Sequence, residues 1–92
     1  MSAVTVNIPA PLRDFTAGAG ESRLDADTVD AALRASELSH PGFLGRVLTP
    51  EGTLRPHVNV FVNADSVKAL DGLATRLPAG ASVLIVPAVA GG

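Results

Sequence analysis

Every second residue is Val or Ile in two segments of the chain, residues 4–8 and residues 58–62. This period of two predicts β-strands that bury one face against a core, so Phe61 is expected on the opposite face. Residues 82–86 are almost continuously apolar, which predicts a central strand buried on both faces. Residues 22–26 can form a further short strand that pairs with the first after a Gly-rich turn.

After residues 4–8 and 22–26, the first two predicted strands in chain order, the apolar residues recur with a helical period. Four residues with this spacing lie on one stripe: Val29, Ala32, Leu33 and Ser36. Asp27 is expected to be the N-cap of the helix. His40-Pro41-Gly42 is expected to end the helix after about 12 residues.

The segment between this helix and the second alternating strand, residues 43–54, predicts a turn-rich connection. Val47 and Leu48 are expected to form a short strand within it. The order of elements is then strand, strand, helix, strand and strand, with the most apolar strand last. A hairpin, a crossing helix and a central final strand make a β-grasp. We therefore predict an α+β, ubiquitin-like fold, in which one main helix packs on one face of a mixed sheet.

Composition narrows the class of protein. The chain has 92 residues, of which 47% are hydrophobic and 3% aromatic, and its formal net charge is -2. This length suits one domain with an aliphatic core. The lack of a basic stripe argues against nucleic-acid binding. The chain has no cysteine, which excludes disulfides, a zinc ribbon and a cysteine nucleophile.

We expect a cytoplasmic protein with no membrane partner. The first residues lack the charged start and long apolar run of a signal peptide. No segment reaches the roughly 20 apolar residues of a membrane span. The longest apolar run, residues 83–90, is interrupted by Pro87.

The end of the chain differs in composition from the rest. No charged residue follows Arg76, and the chain finishes with Ala88-Val89-Ala90-Gly91-Gly92. Pro87 has no N–H group to donate and is expected to end the pairing of the last strand. We therefore predict a β-grasp domain over residues 1–87 and a flexible tail over residues 88–92.

A Gly-Gly end suits transfer chemistry at the terminal carboxylate. A carboxylate is a poor electrophile and has to be activated, for instance as an acyl-adenylate formed with ATP inside another enzyme. Glycine has no Cβ, so Gly91 and Gly92 can pass through a narrow channel and leave the carbonyl unhindered. A frayed end is the plainer interpretation, but two terminal glycines occur by chance in only about 0.5% of chains.

Three segments resemble motifs of the ubiquitin-like sulfur carriers grouped as the ThiS/MoaD family. They are VNVFVN at residues 58–63, LDGL at residues 70–73 and PAVAGG at residues 87–92. The resemblance implies that an E1-like adenylyltransferase/sulfurtransferase uses ATP to adenylate Gly92 and then converts it to a thiocarboxylate. The sulfur passes to an acceptor on a partner enzyme. The resemblance also implies a protein cosubstrate and not an enzyme, with no bound cofactor of its own.

The start of the chain, VTVNIPAPLR at residues 4–13, is similar to the CysO-type carriers, which supply sulfur to a PLP-dependent cysteine synthase. That subgroup also implies a metallohydrolase that releases the product and regenerates Gly92. Two alternatives within the family stay open: the small subunit of molybdopterin synthase, whose acceptor is the large subunit, and a carrier for a secondary-metabolite pathway. Ala64 departs from the family, which often has Gly there, and the difference matters if the position needs a positive φ.

Two functions of other classes also fit a β-grasp with this end. A covalent protein modifier would join Gly92 to lysines of target proteins. A plain interaction module would not use its tail at all. The chain has a single lysine, Lys68, so polymers linked through its own side chains are not expected.

Phe61 and three arginines are the candidates for partner contacts. Phe61 either packs under the segment around Phe43 or stands exposed as an anchor for the E1-like partner, and the two interpretations carry equal weight. Arg13, Arg55 and Arg76 suit either partner contacts or surface solubility.

No pattern in the chain indicates catalysis or metal binding. His40 and His57 are isolated in the sequence and are expected to be ordinary surface residues. The serines lack the partner pattern of a nucleophile. Asp27 and Asp30 are explained by helix capping. We therefore predict no catalytic residue and no metal site.

Overall fold

The computed structural model describes residues 3–16 and 18–87. Within these residues there are two α-helices and five strands, which short 3-10 helices connect. The helices are α1 (Val29–Ser39) and α2 (Leu44–Val47). The strands are β1 (Ala3–Asn7), β2 (Glu21–Asp25), β3 (Val58–Val62), β4 (Asp65–Ser66) and β5 (Ser82–Pro87). The 3-10 helices are Ala10–Thr16, Val67–Ala69 and Gly72–Ala74.

The strands form one mixed sheet in the order β2-β1-β5-β3-β4. β5 runs parallel to β1, while the pairs β1 with β2, β3 with β5 and β3 with β4 are antiparallel. The predicted central position of the last strand is therefore confirmed. Together with the crossing helix, this order is that of the predicted β-grasp.

The core lies between one face of the sheet and the helices. Val6, Val60 and Val83 are fully buried there, as are Leu33 of α1 and Phe43. Side chains of this kind contribute roughly 1.5–3 kcal/mol each when they are removed from water. The alternation in β1 and β3 thus marks the buried face correctly.

The prediction that β5 is buried on both faces is wrong. Val83 and Ile85 are buried, but Leu84 and Val86 between them are 41% and 40% exposed. The helices cover one face of the sheet only, so alternate residues of β5 stand on the other face without a covering layer in the described part of the chain. The apolar run therefore contributes Val83 and Ile85 to the core, and Leu84 and Val86 to the uncovered face of the sheet.

Helix α1 begins one residue later than expected. Its N-cap is Thr28, not Asp27: the Thr28 hydroxyl accepts a hydrogen bond from the Ala31 backbone N–H at 3.2 Å. The backbone carbonyl of Asp27 instead accepts from the N–H of Leu77 at 2.9 Å. That bond keeps Asp27 outside the helix, so Thr28 caps the first helical turn.

The connection after α1 contains a helix where a strand was expected. Residues Leu44–Val47 form α2, and Val47 and Leu48 are both buried. Phe43 and Val47 are four residues apart, so a helical turn places both on the same side, toward the core. The strand prediction is therefore wrong at Val47, which belongs to α2. Leu48 has an extended backbone and forms an isolated antiparallel β-bridge with Leu54, so the prediction is confirmed only as this single bridge.

The backbone of the turn between β3 and β4 shows whether Ala64 needs a positive φ. Asn63 has a φ of 55°, and among the described residues it is the single non-glycine with a positive φ. Asn tolerates this left-handed conformation better than most residues. Ala64 does not need a positive φ, so alanine is compatible with its position in this turn.

Candidate partner-binding face and the base of the tail

The tail leaves the domain at one corner of the sheet. β5 ends at Pro87, which lies opposite Val58, the first residue of β3. Gly92 and the rest of the predicted tail, Ala88, Val89, Ala90 and Gly91, lie outside the described residues. The structure therefore locates the base of the tail, at the end of the central strand, while the role of Gly92 and the division at residue 87 stay predictions.

An apolar patch on the uncovered face of the sheet adjoins this corner. It consists of Phe61, Leu84 and Val86, here called the outer apolar face. Phe61 lies directly opposite Leu84, and Val86 lies opposite Asn59. Side chains opposite one another in an antiparallel pair are in contact distance. The patch is thus continuous across two strands and reaches to within one residue of Pro87.

Phe61 lies on the face opposite the core. It is half-buried and lies between the buried residues Val60 and Val62 in sequence, whereas Phe43 belongs to the core on the other side of the sheet. The interpretation that Phe61 packs under the segment around Phe43 is therefore wrong. Its role as a partner anchor stays a prediction.

Side-chain hydrogen bonds fix the backbone next to the outer apolar face. Asn59 Oδ1 accepts from the Val60 N–H at 2.8 Å and from the Ser66 hydroxyl at 3.1 Å. The Ser66 hydroxyl in turn accepts from the Lys68 backbone N–H at 3.2 Å. This chain of bonds ties β3 to β4 and to the 3-10 helix that carries Lys68.

A shallow depression of about 210 Å³ lies beside the base of the tail. Its lining residues are Pro56, His57, Val58, Asn59, Lys68 and Val86. His57 and Lys68 are both exposed, and no carboxylate lines the depression. It therefore presents two basic side chains next to an apolar one.

The three candidate arginines do not gather around Phe61. Arg13 Nε donates to the backbone carbonyl of Ile8 at 3.1 Å, and Arg55 Nε donates to that of Gly45 at 2.9 Å. Arg76 lines a different depression, beside Asn63 at the far end of β3. The first two make bonds that support local backbone, and contacts of any of the three with a partner stay predictions.

Within residues 3–16 and 18–87, no group of three or more His, Cys, Asp or Glu side chains is placed to hold a metal ion. His40 is half-buried and His57 is exposed. None of the helices in the described part of the chain is long and apolar enough to cross a membrane.

A model of the ThiS family matches residues 6–92 of the chain. The chain belongs to the ThiS family. It is 41% identical to the sulfur carrier protein CysO of Mycobacterium tuberculosis over 91 residues, which cover 97% of this chain and 98% of that protein. It is also 45% identical to small archaeal modifier protein 3 of Haloferax volcanii over 71 residues, 76% of each protein.

The fold of this ThiS-family chain is shared by its solved relatives. The structure matches a chain in the crystal structure of the Amycolatopsis orientalis BexX/CysO complex with a TM-score of 0.91 and 37% sequence identity, covering 98% of this chain and 100% of that chain. The resemblance drawn from the three sequence motifs is therefore confirmed, and so is its CysO-type character.

The corner of the sheet at which the tail leaves the domain is here called the tail corner. Four residues that line it were not among the candidates drawn from the sequence: His57, Lys68, Leu84 and Val86. The signal for Leu84 and Val86 was present, because residues of β5 that alternate with buried ones must share a face with Phe61. No comparable signal existed for Lys68, which reaches the corner only through the turn between β3 and β4.

Proposed function

We propose that this chain is a sulfur carrier whose working group is the carboxylate of Gly92. The observation that carries the proposal is the ThiS-family match, which runs through residue 92. The near full-length similarity to the CysO sulfur carrier supports it. In this role the chain is a cosubstrate that other enzymes act on, and it needs neither a catalytic residue nor a cofactor of its own.

The loading of sulfur takes two steps on an E1-like enzyme. A carboxylate oxygen of Gly92 attacks the α-phosphorus of ATP, and pyrophosphate leaves. A sulfide equivalent then attacks the acyl carbon, and AMP leaves with the oxygen that had been activated. The product is a thiocarboxylate, in which one oxygen of Gly92 has been replaced by sulfur.

The geometry of the tail corner supports this scheme. An activating enzyme has to hold the domain while the tail enters its nucleotide site. Five extended residues beyond Pro87 span at most about 18 Å, so the docking surface must lie near the base of the tail. The outer apolar face meets that requirement, because Val86 precedes Pro87 directly.

The acceptor that we propose first is an activated serine-type substrate on a PLP-dependent cysteine synthase. The similarity to CysO supports this choice. A metallohydrolase would then release the product and restore the Gly92 carboxylate. Co-purification separates this acceptor from the alternatives: a PLP enzyme supports the cysteine route, a stable complex with a molybdopterin synthase large subunit supports that enzyme, and another partner supports a secondary-metabolite pathway.

The test of the carrier function is the intact mass of the chain after incubation with ATP, a sulfide source and its cognate E1-like enzyme. We expect a mass gain equal to one oxygen replaced by one sulfur. A chain that lacks Gly92 serves as the matched control and is expected to gain nothing. If the intact chain is unchanged by an enzyme that loads another carrier, the proposal is wrong and a plain interaction module takes its place.

A second candidate is covalent protein modification. The observation that favours it is the 45% identity to small archaeal modifier protein 3. In that case activated Gly92 forms an isopeptide bond with a lysine amine of a target. Trypsin last cleaves this chain after Arg76, so a modified lysine would carry residues 77–92 as its remnant. Peptides of cell lysate with that remnant on lysine, lost when Gly92 is deleted, would support this function.

A further inference from the structure

The ionisable side chains that line the depression beside the base of the tail are all basic. His57 and Lys68 line it together with Val86, and its lining includes no carboxylate. The described residues supply no ion pair to either basic group. The backbone bond from Lys68 to the Ser66 hydroxyl and the bond from the Val58 N–H to the Arg55 carbonyl, at 3.0 Å, fix the segments that carry the two side chains.

The opposite end of β3 is different. The depression there contains Arg76, but Asp65 and Asp71 line it as well. The two ends of β3 are about 13 Å apart, which exceeds the Debye length at physiological salt. A partner surface therefore meets a basic edge at the tail corner and mixed charge at the far end.

We propose that His57 and Lys68 form a basic rim that binds carboxylates on the surface of the enzyme that activates the tail. This inference rests on the proposed carrier function and adds the chemistry of the partner. The complementary surface is apolar where it covers the outer apolar face and acidic where it meets the basic rim. Lys68 supplies a full charge, and the imidazole of His57 has an N–H to donate to a carboxylate in either protonation state.

The net charge of the whole chain does not explain such attraction. The chain carries a formal charge of -2, which opposes approach to an acidic surface. A local basic rim overcomes this at short range and orients the encounter, so that the corner with the tail approaches first. The rim thus acts on recognition and orientation, and the acyl chemistry is left to the enzyme.

The test is ATP–pyrophosphate exchange by the E1-like enzyme with the full chain as cosubstrate. We expect Lys68→Glu to raise the KM for the chain about tenfold at low salt, with kcat unchanged, and the effect to shrink as salt screens the charges. Lys68→Arg keeps the charge and is expected to restore the KM. Arg34→Glu makes the same change in net charge on α1, across the sheet, and is expected to leave the KM unchanged.

The outcomes separate this inference from the carrier function. If the unaltered chain supports exchange but Lys68→Glu and Arg34→Glu shift the KM equally, the basic rim is overturned while the carrier function stands. A loss of kcat with an unchanged KM also overturns it. If the unaltered chain supports no exchange and gains no sulfur, the carrier function fails and the inference fails with it.

Discussion

At the scale of single residues, Asn63 holds the turn that brings β4 beside β3. Its backbone N–H donates to the Ser82 carbonyl at 2.8 Å, and its Oδ1 accepts from the Ser82 N–H at 3.0 Å. One side chain thus stabilises a left-handed backbone and also joins the end of β3 to the start of β5. Lys68 and the edge of the outer apolar face depend on this turn for their position.

Asn63→Ala is expected to lower the free energy of unfolding by about 2–3 kcal/mol. The polar side chain of asparagine makes the left-handed conformation tolerable by local hydrogen bonding, whereas alanine is destabilised there by roughly 1–2 kcal/mol. The lost bond to Ser82 accounts for about 1 kcal/mol more. Urea unfolding followed by circular dichroism measures the change. Ala64→Gly is the matched control and is expected to destabilise by less than about 1 kcal/mol, because Ala64 has no strain to relieve. A stabilising Ala64→Gly would contradict this account of the turn.

At the scale of elements, the start of α1 shows how pairing elsewhere decides a helix boundary. The backbone of Asp27 is bonded to Leu77, and Thr28 forms an isolated bridge with Arg76. The segment before β5 therefore fixes the residue at which the helix begins. Both Asp27 and Thr28 are good N-cap residues by themselves, so local sequence does not distinguish them.

Thr28→Ala is expected to destabilise the domain by about 1 kcal/mol, because the Ala31 N–H loses its capping oxygen. Thr28→Ser keeps that oxygen and is expected to remain within about 0.5 kcal/mol of the unaltered chain. Thermal unfolding of the three chains measures the difference. Equal stability of the Ala and Ser variants would show that the cap contributes nothing.

The sequence predicts elements well where the pattern reports burial directly. The period of two in β1 and β3 identifies which residues enter the core, because each alternate side chain has one kind of surroundings. The run in β5 has no such period, and only its register with Phe61 shows that Leu84 and Val86 stand outside. Helix α2 was missed because four residues carry little local signal, and the core contacts of Phe43 and Val47 decide its shape.

At the scale of the whole molecule, the two faces of the sheet have different surroundings. One face of the sheet packs against the helices and holds the core, and the other carries the outer apolar face. The candidate site combines residues from β3, the segment after β4 and β5, which are brought together only by strand pairing. This is why family resemblance pointed to Gly92 from the sequence, but the basic rim was found only in the fold.

Phe61→Ala is expected to weaken docking of the activating enzyme with little loss of stability. The lost contact with Leu84 destabilises by roughly 0.2–1 kcal/mol, whereas Phe43→Ala in the core is expected to cost about 3–5 kcal/mol. The KM for the chain in pyrophosphate exchange measures docking. Leu38→Ala is the control, since Leu38 is 86% exposed on α1, and it is expected to leave the KM unchanged. Equal KM values for both variants would remove Phe61 from the docking surface.

The order of the strands has a consequence for how the protein is made. β1 and β3 both pair with β5 and not with each other. During synthesis, the first strand and the third therefore wait for residues 82–87 before either can join a common sheet. Before β5 is synthesised, pairing is limited to the β1–β2 and β3–β4 hairpins. The edges of β1 and β3 that later pair with β5 stay open until then, and during that time they can be bound by chaperones.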